Sequence, residues 1–407
     1  MTKKTLQDMF LRTQAFFRDY TNFNPSSKGY GLTSDNTSNP ERASIAATGF
    51  MFSYLILAVH SNSITKDEAL RIARKTIDTL LHIDHYKGFF PHFISRETGD
   101  IWGQSEYSTI DTMLMMMGLL AIDQYFHDPY IQTQTAYLLN RIDWKSFHTT
   151  YKGKKVFSMA YNPNKDGDYA HGNPGYIFHW HMYAEQLMMY VLYPFDDALE
   201  LYENIEKPVG TFEDITYTHA PGNTLFIYHF PLAFLDLEDI VDHQGFSIYN
   251  NAKQAILGHR KLSNRLSSVY QTMNTFAFGF NASDTKKGYR VFHAIPNTYD
   301  TVLTDGTIAP FSIVGSYPYF KDLIEPSLDY LMNIPNLYQN YGFMDAYNQE
   351  DGLWISDKII SIDKGLEMLA LDAAQNKIIH TLINNHPVIQ EGMKRLKWKK
   401  VGHHGNH

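Results

Sequence analysis

Apolar positions recur at helical spacing along most of the chain, and they sort into two kinds of segment. In the first kind only one side is apolar. Residues 6–20 set Met9, Phe10, Thr13, Phe16 and Phe17 on one face. Residues 66–81 follow Thr65, a suitable N-cap, and set Leu70, Ile72, Ala73, Ile77 and Leu80 against charges on the opposite face. In the second kind, residues 44–60 and 107–126, the segment is apolar almost all round, which predicts a helix buried on most sides. Further helices are predicted over 129–141, with Pro129 at the first position, and over 178–192, 195–204, 224–235, 247–266, 307–314, 321–333 and 364–385. About a dozen helices of alternating buried and amphipathic character are what a double ring requires. The expected fold is all-α, a toroid, with short strands confined to loops around residues 270–280 and 289–293. Residues 151–176 read as a long irregular loop, and Asp166-Gly167-Asp168 within it as a turn, since the rest of a calcium-loop spacing is missing.

Composition adds bounds. Of 407 residues, 44% are hydrophobic and 19% charged, enough for a large core. No short repeat and no Gly/Pro-rich linker breaks the chain, so residues 1–401 are read as one catalytic domain and the His-rich residues 402–407 as a disordered tail. The net charge of −8 and the absence of a basic stripe argue against nucleic acid; the run from Lys394 to Lys400 reads as a solvated helix end. There is no cysteine, hence no thiol or disulfide chemistry. Residues 113–121 are apolar but too short to span a bilayer, and Met1-Thr2-Lys3-Lys4 is not followed by a signal-type apolar run. A protein of the cytoplasm, without a membrane partner, is expected. Nucleotide-binding glycine patterns are missing, and no cofactor is expected. Nothing in the sequence sets the oligomeric state.

The candidate chemistry lies in carboxylates beside aromatic residues, which make up 14% of the chain. Glu185 follows Trp180-His181-Met182-Tyr183-Ala184, and Asp363 stands just before the last long helical pattern. Cleaving a bond between two sugars takes two carboxyls, one protonated to release the leaving oxygen and one ionised to activate water or attack. Crowded by Trp180, Met182 and Tyr183, with His181 one helical turn away, Glu185 would be desolvated and kept protonated as a general acid; a Glu buried for structure is the equal alternative. Asp363 reads as a base or as a helix N-cap, with Lys364 either holding it ionised or facing solvent. Asp111, inside an apolar helix with Tyr107 one turn away, is placed in the cleft as a ligand for sugar hydroxyls, and Glu106 at the helix start as a cap. Asp345 and Asp305 are alternative bases or sugar ligands, although Asp305-Gly306 by itself reads as a turn. Arg42, His92, Trp102, Trp180 and Tyr183 are candidates for sugar contact.

A collinear series of motifs carries a resemblance. Arg42 to Phe50, Gly88-Phe89-Phe90-Pro91-His92-Phe93, Ser108-Thr109-Ile110-Asp111-Thr112 and Arg141-Ile142-Asp143-Trp144 open it. Trp180 through Tyr183 to Glu185, Ala282-Ser283-Asp284, Asp305 to Pro310, Tyr341 to Asn348 and Asp363-Lys364-Gly365 follow in order. Together they resemble the bacterial glycoamylase domain and are similar to glycoside hydrolase family 144, the endo-β-1,2-glucanases. The resemblance implies an (α/α)6 toroid, hydrolysis of β-1,2-glucan or sophorooligosaccharides with inversion, and no metal. It implies Glu185 as acid, with Asp363 at the matching position before the last core helix. A transglycosylase, an exo-acting glucosidase and a non-catalytic oligosaccharide-binding protein are the alternatives.

Overall fold

The computed structural model describes residues 1–164 and 174–401; Asp166-Gly167-Asp168 and the His-rich terminus lie outside these. Fourteen helices form among the described residues. They are α1 (Lys3–Tyr20), α2 (Ile45–His60), α3 (Lys66–His82), α4 (Thr109–Phe126), α5 (Pro129–Asn140), α6 (Leu187–Leu192) and α7 (Ala198–Asn204). After these come α8 (Phe226–Phe234), α9 (Ile248–Arg265), α10 (Pro310–Gly315), α11 (Lys321–Met332), α12 (Ser361–Gln375), α13 (Ile378–Asn385) and α14 (Pro387–Arg395).

From α2 to α12 every second helix is buried nearly all round, as the apolar pattern demands, and these six form an inner ring. Helix α2 packs on α4, α4 on α6, α8 on α10, α10 on α12, and α12 back on α2. Between α6 and α8 the ring is bridged by Tyr183, whose centroid lies 6.0 Å from that of Tyr228. The amphipathic helices α1, α3, α5, α7, α9 and α11 lie outside, each turning its apolar face inward. The result is an (α/α)6 toroid. Helix α13 crosses the end where α12 finishes, touching α4, α8 and α12, and α14 leans on α6. The buried apolar side chains form one continuous cluster. Among the described residues no helix is long and apolar enough to cross a membrane.

Within the inner ring, α2 and α4 approach closely at a pair of glycines. A Cβ on Gly118 would stand 1.9 Å from the carbonyl oxygen of Gly49, and one on Gly49 2.5 Å from that of Leu114. Backbone cannot yield as a side chain can, so Gly118→Ala should force the two helices apart. Overpacking of this kind typically costs about 1–3 kcal/mol. A lowered thermal midpoint in calorimetry checks this; an unchanged midpoint would show that the helices slide freely.

Four predicted segments differ from those observed. Residues 178–192 do not form one helix. Tyr176–Trp180 is instead a strand, and helix resumes only at Leu187. The short apolar run carries β-branched and aromatic residues and has a partner strand, so cross-strand pairing decides between two states that periodicity cannot separate. The partner, Lys154–Tyr161, lies in the stretch read as a loop. Labelling strands in chain order, β1 (Arg42–Ser44) pairs with β2 (Phe93–Ser95). The larger sheet joins β3 (Tyr107–Ser108), β4 (His148–Tyr151), β5 (Lys154–Tyr161) and β6 (Tyr176–Trp180). Residues 364–385 are split, because Lys377 takes a left-handed backbone (φ 53°) between α12 and α13. Strand structure is found at Arg290–Val291, paired with Ala282–Ser283, whereas residues 270–280 are turns and bends.

Candidate active site

The segments entering α2, α4, α6 and α12 gather at one end of the toroid, tied by backbone bonds. Ile45 N–H donates to the His92 carbonyl, His92 N–H to that of Glu106, and Ser361 N–H to that of Asp35. Trp180 Nε1 donates to Thr109 Oγ1 at 2.9 Å, fixing β6 to the start of α4. Helix N-termini present unpaired N–H groups and positive dipole ends, so carboxylates are favoured here. Arg42, Asp111, Glu185 and Asp363 stand at the starts of α2, α4, α6 and α12 in turn.

Asp111 sits in the first turn of α4, where its N–H is capped by Ser108. Its carboxylate accepts from Ser108 Oγ at 2.6 Å and lies 3.6 Å from His92 Nε2. The other ring nitrogen of His92 is 2.8 Å from Glu106. Glu106 therefore holds His92, while Ser108 caps the helix. Tyr107 belongs to β3 and donates to Asp84, so the expected partner of Asp111 on its own helix is replaced by His92 from the neighbouring loop. Burial alone would lower the His92 pKa, but Asp111, Glu106 and Asp35 outweigh it and lift the value to about 9. A raised histidine contributes stability that is complete below the unfolded value near 6.5 and is lost as pH rises through about 9. His92→Gln should therefore flatten the decline in thermal midpoint between these limits, read by calorimetry across pH. Equal slopes in both proteins would exclude His92 as its source.

Glu185 lies in the turn before α6, not in a helix, so His181 is not on a shared helical face with it. That turn is held by the Glu206 backbone, which accepts from Tyr183 N–H and donates to the His181 carbonyl. The Glu185 side chain is half-buried. Burial raises its pKa to about 7; a bond from its own backbone N–H opposes this, and the nearby charge of Asp111 adds to it. Tyr183 is buried at 1% exposure and Trp180 is packed in the core, leaving no ring face for a sugar. Their neighbours are other core groups: Trp180 bonds Thr109, and Tyr183 packs against Tyr228 and Phe246.

Asp363 occupies the first turn of α12, whose N-cap is Ile360. It does not cap the helix. It is 5% exposed and hydrogen-bonded to Asp345, itself 3% exposed. Two buried carboxyls in contact cannot both ionise. Burial, then the charge and hydrogen bond of Asp345, push Asp363 well up; Asp345, although also raised by burial, is favoured as the charged member by that bond and by the Asp284 N–H at 2.7 Å. Asp363 is thus the member pushed toward its protonated form. Lys364 does not face solvent: it is buried against Glu367.

The remaining candidates divide. Arg42 donates to Asp35 at 2.6 Å and lies over the Phe93 ring. Asp35 is strapped to the start of α12 and influences both His92 and Tyr289. Trp102 is exposed on the rim. Asp305 accepts from Thr307 N–H and closes its own turn, the role an Asp-Gly pair ordinarily has. Three residues that were not site candidates by sequence join them. Tyr289 is 57% exposed yet close enough to Asp363, Asp345 and Asp35 to feel their charge. Asp284 is anchored by Ser356 and by Lys358 at 2.9 Å. Asp35 has no flanking aromatic signal, and only the fold brings any of the three to the carboxylate pair.

No curated protein matches the chain. Among solved structures, an endo-β-1,2-glucanase from Chitinophaga pinensis, in complex with sophorotriose and glucose, superposes with a TM-score of 0.84 at 21% identity, covering 98% of this chain and 99% of that one. A "putative glucoamylase" from Bacteroides fragilis gives 0.83 at 23%, covering 98% of each. A β-1,2-glucanase from Parabacteroides distasonis gives 0.81 at 19%, covering 97% of this chain and 60% of that one. Likeness at such identities establishes a common fold. The Glycoamylase family model, described as "Putative glucoamylase", matches residues 177–387, more than half of the chain and the part that carries Glu185, Asp345 and Asp363. The chain belongs to the glycoamylase family.

Proposed function

We propose that this protein is a glycoside hydrolase that cleaves β-1,2-linked glucan or its sophorooligosaccharides with inversion, Glu185 serving as the acid and the Asp345–Asp363 pair as the base. One observation carries the reading. Two carboxyl centres stand at the same end of the toroid: Glu185 before α6, raised by burial to about 7, and the buried Asp345–Asp363 pair by the start of α12, read as sharing one proton because burial and Asp345 push Asp363 up. Pairs of titrating groups pushed apart by their surroundings are how acid and base roles are assigned at one pH. Glu185 gives its proton to the glycosidic oxygen as the C1–O bond breaks. A water attacks C1 from the opposite face, and its proton passes to the Asp345–Asp363 pair. Asp111, backed by protonated His92, supplies a charged acceptor for sugar hydroxyls, and Trp102 a rim ring for stacking.

The linkage is supported by the motif series and by the sugar held in the Chitinophaga pinensis enzyme. A site built to hydrogen-bond particular hydroxyls can reject an analogue by about 10⁴–10⁵. Sophorooligosaccharides and β-1,2-glucan should therefore be cleaved, and starch, cellulose and laminarin left intact. Chromatography of the products decides the substrate, and proton NMR of the first anomer released decides inversion. Release of sugar from an α-glucan, with none from β-1,2 substrates, would overturn the linkage. Residues 1–401 as one catalytic domain is part of the same reading, supported by the continuous core.

A further inference from the structure

We propose that the buried Lys364–Glu367 ion pair sets the charge state of the Asp345–Asp363 pair, with Lys364 as the positioning residue that keeps one of those carboxyls ionised. The inference rests on the reading that this pair supplies the base. Lys364 Nζ lies 2.6 Å from Glu367 Oε2, with side-chain exposures of 2% and 1%. Both residues sit on α12, which also carries Asp363. A Cβ on Gly342 would stand 3.7 Å from the Lys364 ammonium and 3.7 Å from the Glu367 carboxylate. Gly342 begins the short strand Gly342–Phe343 that leads to Asp345. The ion pair thus lies against both segments that bear the two aspartates.

Burying such a pair is a poor way to gain stability, because desolvation of both ions consumes most of the attraction. Its position suggests an electrostatic task. The other groups facing the aspartates come from separate elements: Asp284 and Tyr289 from the 282–291 hairpin, and Lys358 from the segment before α12. Lys358 is occupied by Asp284 at 2.9 Å. Lys364 stabilises the ionised form of both Asp345 and Asp363, and on Asp363 its influence exceeds the opposing one of Glu367.

Opposite signs test this. In Lys364→Met the acid limb of the activity profile should move to higher pH, because the base then binds its second proton more tightly. In Glu367→Gln it should move to lower pH, with the amide oxygen still accepting from Lys364. Each shift should be about one to three pH units, as expected for one charge roughly 4–10 Å away at an effective dielectric of roughly 20. Lys364→Arg should retain the wild-type profile. A purely structural pair would lower activity in both variants without moving either limb, and that result, or two shifts of the same sign, overturns the proposal. The same signs are read without turnover from carboxyl-carbon NMR titration of ¹³C-aspartate-labelled protein, with Asp345→Asn assigning the signals. Should Lys364→Met fail to fold, the downward shift in Glu367→Gln still decides. A wild-type protein inactive on every glucan would sink the functional reading, while the titration would still decide whether Lys364 and Glu367 control the charge of the aspartates.

Discussion

Glu185→Gln should abolish most of the turnover on an unactivated β-1,2-glucan while leaving the fold and sugar binding near normal. The amide keeps the shape and the neutral charge of a protonated Glu185, but it has no proton to give to the leaving oxygen. General acid catalysis typically contributes about 10²–10⁴-fold, so a loss of that size in kcat is expected, with KM little changed. A substrate carrying an activated phenolic leaving group needs little protonation and should be hydrolysed by the variant far better than the natural glycan is. Retention of more than a small fraction of the activity on the glycan would return Glu185 to a structural role.

The pH dependence follows from the same residue. An acid must be protonated to act, so activity should fall as pH rises through about 7. Stability gives an independent sign. A carboxyl whose pKa rises on folding disfavours the folded state once it ionises; for Glu185 that cost develops between the ordinary value of 4.5 and about 7. Glu185→Gln should therefore raise the thermal midpoint at pH 8 and leave it unchanged at pH 4. A residue held by a structural salt bridge would show the reverse.

Much of the fold was legible in the sequence, and the reasons are specific. Helices α2 and α4 read as buried because they are apolar all round, and α3 read as outer because its charges keep to one face. Six such alternations suffice to name a double ring. The strand Tyr176–Trp180 was not legible, because its helical or extended state depends on a partner, Lys154–Tyr161, whose position only the fold determines. The site divides in the same way. Glu185 and Asp363 are singled out as candidates by their neighbours in the chain. The pairing of Asp363 with Asp345, the support of Asp111 by His92 and the approach of Tyr289 join residues from different elements, and no local pattern encodes such contacts. Trp180 and Tyr183 show the converse error: an aromatic next to a catalytic candidate reads as a sugar platform, yet packing buries both rings and a bond to Thr109 fixes that of Trp180.

The pairing of Asp345 with Asp363 changes what a single substitution should do. Alone in the cleft, either aspartate would be a weak base. Buried together, both are raised by desolvation; Asp345 pushes Asp363 further up, while the bond from Asp363 holds Asp345 as the anion, and the pair as a unit becomes basic enough to take a proton from water near neutral pH. Asparagine at either position leaves a lone carboxylate beside an N–H donor that cannot take up a proton, which holds that carboxylate ionised and weakens it as a base. Asp363→Asn and Asp345→Asn should each lose about 10²–10⁴ in kcat, and the double variant should lose little more than the worse single one, because residues that act as a unit are not additive. Both single variants should fold, since an amide still hydrogen-bonds the surviving carboxylate, and removing the repulsion should raise the thermal midpoint above neutral pH. Steady-state kinetics of the three variants on sophorooligosaccharides, alongside calorimetry, provide the check. If one single variant keeps near wild-type turnover while the other is inactive, the base is one aspartate and its neighbour only a hydrogen-bonding support; if losses in the double variant multiply, the two act at separate steps and the shared-proton reading is wrong.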